Sequence, residues 1–132
     1  MTTELLLKFE FHASHSLSVR EVPHVHLWRM EVVLVGEPRD GMIINLPEVR
    51  TAFETVIASL SQTYLNENPL LDASAKATPT CETLGAYFFR NFESILKRQF
   101  LPRNPTIKLK SVQVAICEPD GFEWGAAKLS TV

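Results

Sequence analysis

Three histidines in two short extended runs carry the clearest chemistry in this chain. His15 closes Phe9-Glu10-Phe11-His12-Ala13-Ser14-His15, and His24-Val25-His26 follows nine residues on. Alternate residues of a strand face the same side, so His24 and His26 can aim both imidazoles at one point while His15 reaches it from a neighbouring strand. Three neutral imidazoles with an open fourth position are what a catalytic zinc needs. A surface strand bearing polar histidines would show the same H-x-H spacing, so spacing alone leaves both readings open. A purely structural zinc would want a fourth protein ligand, and no nearby Cys or His supplies one. His12 is expected on the opposite face and is left unassigned.

The elements that must position these side chains follow from apolar periodicity. Leu5 to His15 alternates, with Leu5, Leu7, Phe9, Phe11 and Ala13 on one face, and predicts a first strand. Residues 16–23 form a short connection, and Leu27 to Val35 is β-rich up to the turn signal Gly36-Glu37-Pro38-Arg39-Asp40-Gly41. These two strands are expected to pair antiparallel. Pro47 then suits a first helical turn, followed by Val49, Phe53, Val56, Ile57 and Leu60 at helical spacing. Residues 66–79 read as a polar loop, and Thr80 as the N-cap of a second helix with the stripe Leu84, Tyr87, Phe88, Phe92, Ile95 and Leu96. Pro102 and Pro105 end it. Ile107 to Glu118 predicts a third strand whose phase slips near Ser111, as a bulge would cause, and Phe122 to Leu129 a fourth. The order ββααββ over residues 1–132 is that of one α+β domain, a four-stranded antiparallel sheet with two helices on one face. Its open edges lead us to expect self-association through the sheet.

Composition narrows the partners. With 132 residues, 45% of them hydrophobic, and a net charge of −2, the chain can bury an ordinary core and offers no broad electrostatic surface for nucleic acid or membrane. No basic-then-apolar leader and no apolar run of about 18 residues is present, so a cytoplasmic protein is expected. Cys81 and Cys117 are then expected to be reduced thiols without a redox role.

Five motifs in register carry a wider resemblance. Phe11-His12-Ala13-Ser14-His15-Ser16-Leu17, His24-Val25-His26, Gly41-Met42-Ile43-Ile44-Asn45-Leu46, Tyr64-Leu65-Asn66 and Pro79-Thr80-Cys81-Glu82 stand in the order found in the 6-pyruvoyltetrahydropterin synthase family, which includes the 6-carboxytetrahydropterin synthases. The resemblance covers nearly the whole chain. It implies the tunnelling fold, in which trimers close their sheets into a barrel and two trimers stack as a homohexamer with the sites between subunits. It also implies that His15, His24 and His26 bind zinc, and that Glu118, in Ala115-Ile116-Cys117-Glu118, grips a pterin. A carboxylate offers two acceptor oxygens to the adjacent N–H donors of a 2-amino-4-oxo-pyrimidine edge. Thr80 matches the family's second contact to the ring, in addition to its capping role.

The catalytic positions depart from the family's pattern. Its usual cysteine before the H-x-H pair is absent, and Ser61 and Gln62 replace an Asp-His pair that neither can imitate near neutral pH. Arg20-Glu21 resembles the arrangement of one branch, where a glutamate three residues before the first H-x-H histidine serves as the base. Such a carboxylate could take a proton if zinc acidified the substrate hydroxyls and partial burial raised its pKa. Glu21 is therefore the candidate catalytic residue, and a solvated loop glutamate is the plain alternative. Two functional readings stand. One is a zinc-dependent lyase acting on the side chain of 7,8-dihydroneopterin or its triphosphate. The other is a catalytically degenerate, zinc-containing pterin-binding homologue.

Overall fold

Alternation decides the sheet. Strand β1 (Thr3–His15) buries Leu7, Phe9, Phe11, Ala13 and His15 and exposes Lys8, Glu10 and His12 between them. The computed structural model describes residues 1–18 and 20–131; Val19, in the loop before the H-x-H pair, and Val132 lie outside them. Strand β2 (His24–Gly36) pairs antiparallel with β1 and begins at His24 rather than Leu27, because His24 and His26 continue the ladder opposite His15 and Ala13. Strands β3 (Lys108–Cys117) and β4 (Glu123–Ser130) complete a four-stranded antiparallel sheet in the order β1-β2-β3-β4. The expected slip near Ser111 is a bulge. Val33 opposes Ser111 and Leu34 opposes Leu109, leaving Lys110 as the extra residue. A second irregularity was not foreseen: Ile116 opposes Gly125 and Cys117 opposes Glu123, so Trp124 is unpaired on β4.

Helix α1 (Leu46–Ala58) starts where the Asn45 side chain accepts the Glu48 N–H at 3.1 Å, with Pro47 in its first turn. Residues 66–79 are more ordered than the plain loop expected. They contain most of a 3-10 turn (Leu65–Glu67) and a short helix α2 (Ala73–Ala77), which the Asp72 carboxylate caps at the Ala75 N–H, 2.9 Å away. The element order is thus ββαααββ. Helix α3 (Cys81–Ile95) opens on a capping box, in which the Thr80 hydroxyl accepts the Thr83 N–H and the Thr83 hydroxyl accepts the Thr80 N–H. It runs on through a wider π turn (Leu96–Phe100) before Pro102 stops it.

The helices cover one face of the sheet, and the core between them is aromatic. Phe53 and Phe92 stack at 4.2 Å between centroids, with Phe9, Phe11, Phe88 and the fully buried Trp28 around them. Gly85 lets α3 lie flat on β4, since a Cβ there would come within 2.5 Å of Leu129 Cδ1. This seating fixes the start of α3 beside the histidine end of β1. The edge of β1 is partly covered at that end. Gln62 N–H donates to the His12 carbonyl at 2.6 Å and Ser14 N–H to the Thr63 carbonyl at 3.0 Å. Among the described residues no helix is long and apolar enough to cross a membrane.

Candidate functional site

The three imidazoles meet at the end of the β1–β2 ladder, on the helix-covered side. His15 directly opposes His24, and His26 lies two residues along β2 on the same face. The His15 ring stands 5.1 Å from that of His26 and 5.2 Å from Trp28, and His24 stands 6.1 Å from His26. His15 Nδ1–H donates to the Pro79 carbonyl at 2.8 Å, and His26 Nδ1–H to the Cys117 carbonyl at 3.3 Å. A carbonyl only accepts, so each ring carries a proton on Nδ1, and in its neutral form such a ring leaves the Nε2 lone pair free, the tautomer a metal ligand needs. Burial pushes the His15 pKa down from 6.5 against the opposing pull of the Pro79 carbonyl, which keeps this ring neutral at neutral pH.

His24 differs from both. It is exposed, and its Nε2–H donates to Glu21 Oε1 at 2.7 Å while Glu21 Oε2 accepts the Leu17 N–H at 3.1 Å. These bonds, the Leu17 N–H first, hold the Glu21 carboxyl below its usual range. Partial burial was expected to raise that pKa; the side chain is too open for burial to win over two donors.

Glu21 nevertheless faces the same space as the histidines. A cleft of about 530 Å³ is lined by His15, Glu21, His24, His26, Glu118 and Trp124 among others. Glu118 sits one residue past β3, where its N–H donates to the Phe122 carbonyl and its own carbonyl accepts the Gly121 N–H, both at 2.8 Å. Its half-buried carboxylate has no hydrogen bond or ion pair among the described residues, and so can meet an external donor. Thr80 does not line the cleft. Its hydroxyl serves the capping box, and its link to the site runs through Pro79, the anchor of His15. Sequence reasoning missed Trp124, because a bulged residue escapes alternation.

Zinc is the metal the family resemblance implies, and as donors these residues suit it. Two imidazoles have Nδ1 held by backbone carbonyls and Nε2 turned away from them, and a third is adjacent. The arrangement is not closed: among the described residues no group of three or more His, Cys, Asp and Glu side chains stands ready to hold a metal ion. The ring out of place is His24, whose Nε2 is taken by Glu21.

Fold and cleft together define the class, an α+β protein with imidazoles and carboxylates gathered at one end of an open antiparallel sheet. The family model for 6-pyruvoyl tetrahydropterin synthase matches residues 4–121, and the chain belongs to that family of pterin-processing synthases. Solved structures agree on the fold. The chain is similar to the Caenorhabditis elegans 6-pyruvoyl tetrahydropterin synthase, with TM-score 0.72, 17% identity and coverage of 100% of this chain and 97% of that one. An uncharacterized protein of Wolinella succinogenes matches with TM-score 0.73 and 13% identity over 100% of this chain and 99% of that one. The Plasmodium vivax synthase matches with TM-score 0.69 and 14% identity over 99% of each chain. That enzyme has also been solved as a variant in which a glutamate described as a catalytic residue is replaced by alanine.

Proposed function

We propose that the chain, as one domain over residues 1–132, is a zinc-dependent enzyme that processes the side chain of 7,8-dihydroneopterin or its triphosphate. The observation that carries this reading is the convergence of His15, His24, His26, Glu21 and Glu118 on one cleft. His15, His24 and His26 would hold the zinc. When bound, that ion would supply Lewis acidity toward the two side-chain hydroxyls of the substrate. Glu118 fits the pterin edge, since its two free carboxylate oxygens match adjacent N–H donors. Glu21 takes the part of the base: Oε1, now bonded to His24 Nε2, is the oxygen that would receive a hydroxyl proton. Its hold on His24 and ligation through the same nitrogen exclude each other, so metal uptake frees that oxygen for the substrate. The glutamate described as catalytic in the P. vivax enzyme supports this role. Carbon–carbon cleavage of 7,8-dihydroneopterin would leave 6-hydroxymethyl-dihydropterin and release the two outer side-chain carbons as glycolaldehyde; phosphate elimination is the other outcome for the triphosphate.

Assembly into a homohexamer of two stacked trimers belongs to the same proposal, supported by β4, which has no partner on its outer edge among the described residues. The free thiols Cys81 and Cys117 suit a cytoplasmic setting. A second reading, a pterin binder without turnover, is favoured by one observation. Ser61 and exposed Gln62 put no titratable group at the β1 edge, and Gln62 is held there by backbone alone, at φ 59°.

The test is a product assay with zinc-loaded protein offered 7,8-dihydroneopterin and its triphosphate, beside Glu21→Ala. Conversion that disappears in Glu21→Ala is the expected result. Pterin binding without conversion would contradict the enzymatic reading and select the second.

A further inference from the structure

We infer that Trp124 is the wall on which the planar ring of the pterin stacks, an assignment that rests on the pterin reading above and extends it to a residue outside the matched motifs. Trp124 is the extra residue of the β3–β4 bulge, opposed by nothing between Cys117↔Glu123 and Ile116↔Gly125. The bulge turns its indole toward the histidines, where it meets the His26 ring at 5.6 Å and 71°. Despite that contact, 60% of the residue remains exposed. A large aromatic surface left open beside a polar cleft is the feature that a flat ligand would cover.

The same turn supplies the edge contact. Glu118 begins it and Trp124 follows it, so a short, hydrogen-bonded loop sets a free carboxylate and an open indole in one cleft. A fused heterocycle held at its N–H edge by a carboxylate still has two faces to shelter from water, and an indole face covers one of them. Other aromatics do not compete for the task. Trp28 is fully buried beneath His15, and Phe122, though exposed, does not line the cleft. The edge-to-face contact with His26 also fixes the indole's tilt, so stacking needs little reordering of the side chain.

Equilibrium dialysis of neopterin against zinc-loaded protein, Trp124→Ala and Trp124→Phe tests the assignment, with zinc content and oligomeric state measured on each. We expect Trp124→Ala to raise Kd by about tenfold or more and Trp124→Phe by less than about threefold, with zinc unchanged. The chain has two tryptophans and only Trp124 is open to solvent, so neopterin should also protect the unaltered protein's fluorescence from acrylamide quenching. Equal Kd values for the unaltered protein and Trp124→Ala would overturn the assignment and leave the pterin reading standing. Unchanged affinity with loss of assembly would place Trp124 in a subunit contact instead, and would equally overturn it. No neopterin binding by the unaltered protein would overturn both readings.

Discussion

His15 and His26 on one side, and His24 on the other, divide the cleft into a buried half and an exposed half. The first two rings are buried, packed against Trp28 and oriented by backbone carbonyls of α3's approach and of β3. His24 is exposed at the first residue of β2 and answers to a loop carboxylate. On the proposed zinc role, a site made this way would have two ligands oriented by the fold and a third that must leave a competing hydrogen bond. On that proposal, the contrast accounts for the finding that among the described residues no group of three or more His, Cys, Asp and Glu side chains stands ready to hold an ion.

Stability should show the division most strongly. In metal-free protein His15→Ala removes packing against Trp28 and leaves the buried end of the Pro79 bond unmade, and should cost about 2–4 kcal/mol by urea unfolding. His24→Ala should cost less than about 0.5 kcal/mol. Comparable losses for both would break the comparison. Next in size is Glu118→Ala, which should weaken neopterin binding by about tenfold with zinc content unchanged, because a charge-assisted pair is lost while the hydrogen bonds that orient the imidazoles do not involve this carboxylate. Unchanged binding would remove Glu118 from the pocket. Smaller still, Glu21→Ala should tighten zinc by roughly two- to fivefold in a competition titration with a chelator, since His24 no longer has to leave a carboxylate. A fall in zinc affinity would instead make Glu21 a ligand. The smallest effect is expected at Cys81, whose thiol is pushed up to about 11, first by burial and then by the nearby Glu82 carboxylate. It stays protonated until the pH nears that value, so alkylation at pH 8 should leave folded protein unlabelled at Cys81 and proceed only on unfolding.

Much of this layout could be read along the chain, for identifiable reasons. Strict alternation from Leu7 to His15 dictated which face of β1 is buried and therefore where His15 points. The phase slip near Ser111 became the Lys110 bulge, and Asn45 and Thr80 cap their helices because short polar side chains reach the unpaired N–H groups there. What was not legible has physical causes as well. The start of β2 was hidden because histidine pairs carry no apolar alternation, and only the ladder to His15 makes them strand. Helix α2 hid among Asn and Pro residues, its single cap being Asp72. Trp124 escaped because a bulge breaks the period-two pattern that would assign it a face. The Glu21–His24 bond depends on loop closure at Leu17, a contact local in sequence but not periodic. The Leu17 N–H first, and then His24, reversed the expected direction of the Glu21 shift.

The most direct test of the account is the zinc content of purified, zinc-saturated and then desalted protein, measured by mass spectrometry for the unaltered chain and for His24→Ala. The account predicts one zinc per chain in the first and less than a tenth of that in the second, with circular dichroism unchanged. Equal zinc in both would contradict it, because the exposed third histidine would then have no part in holding the metal.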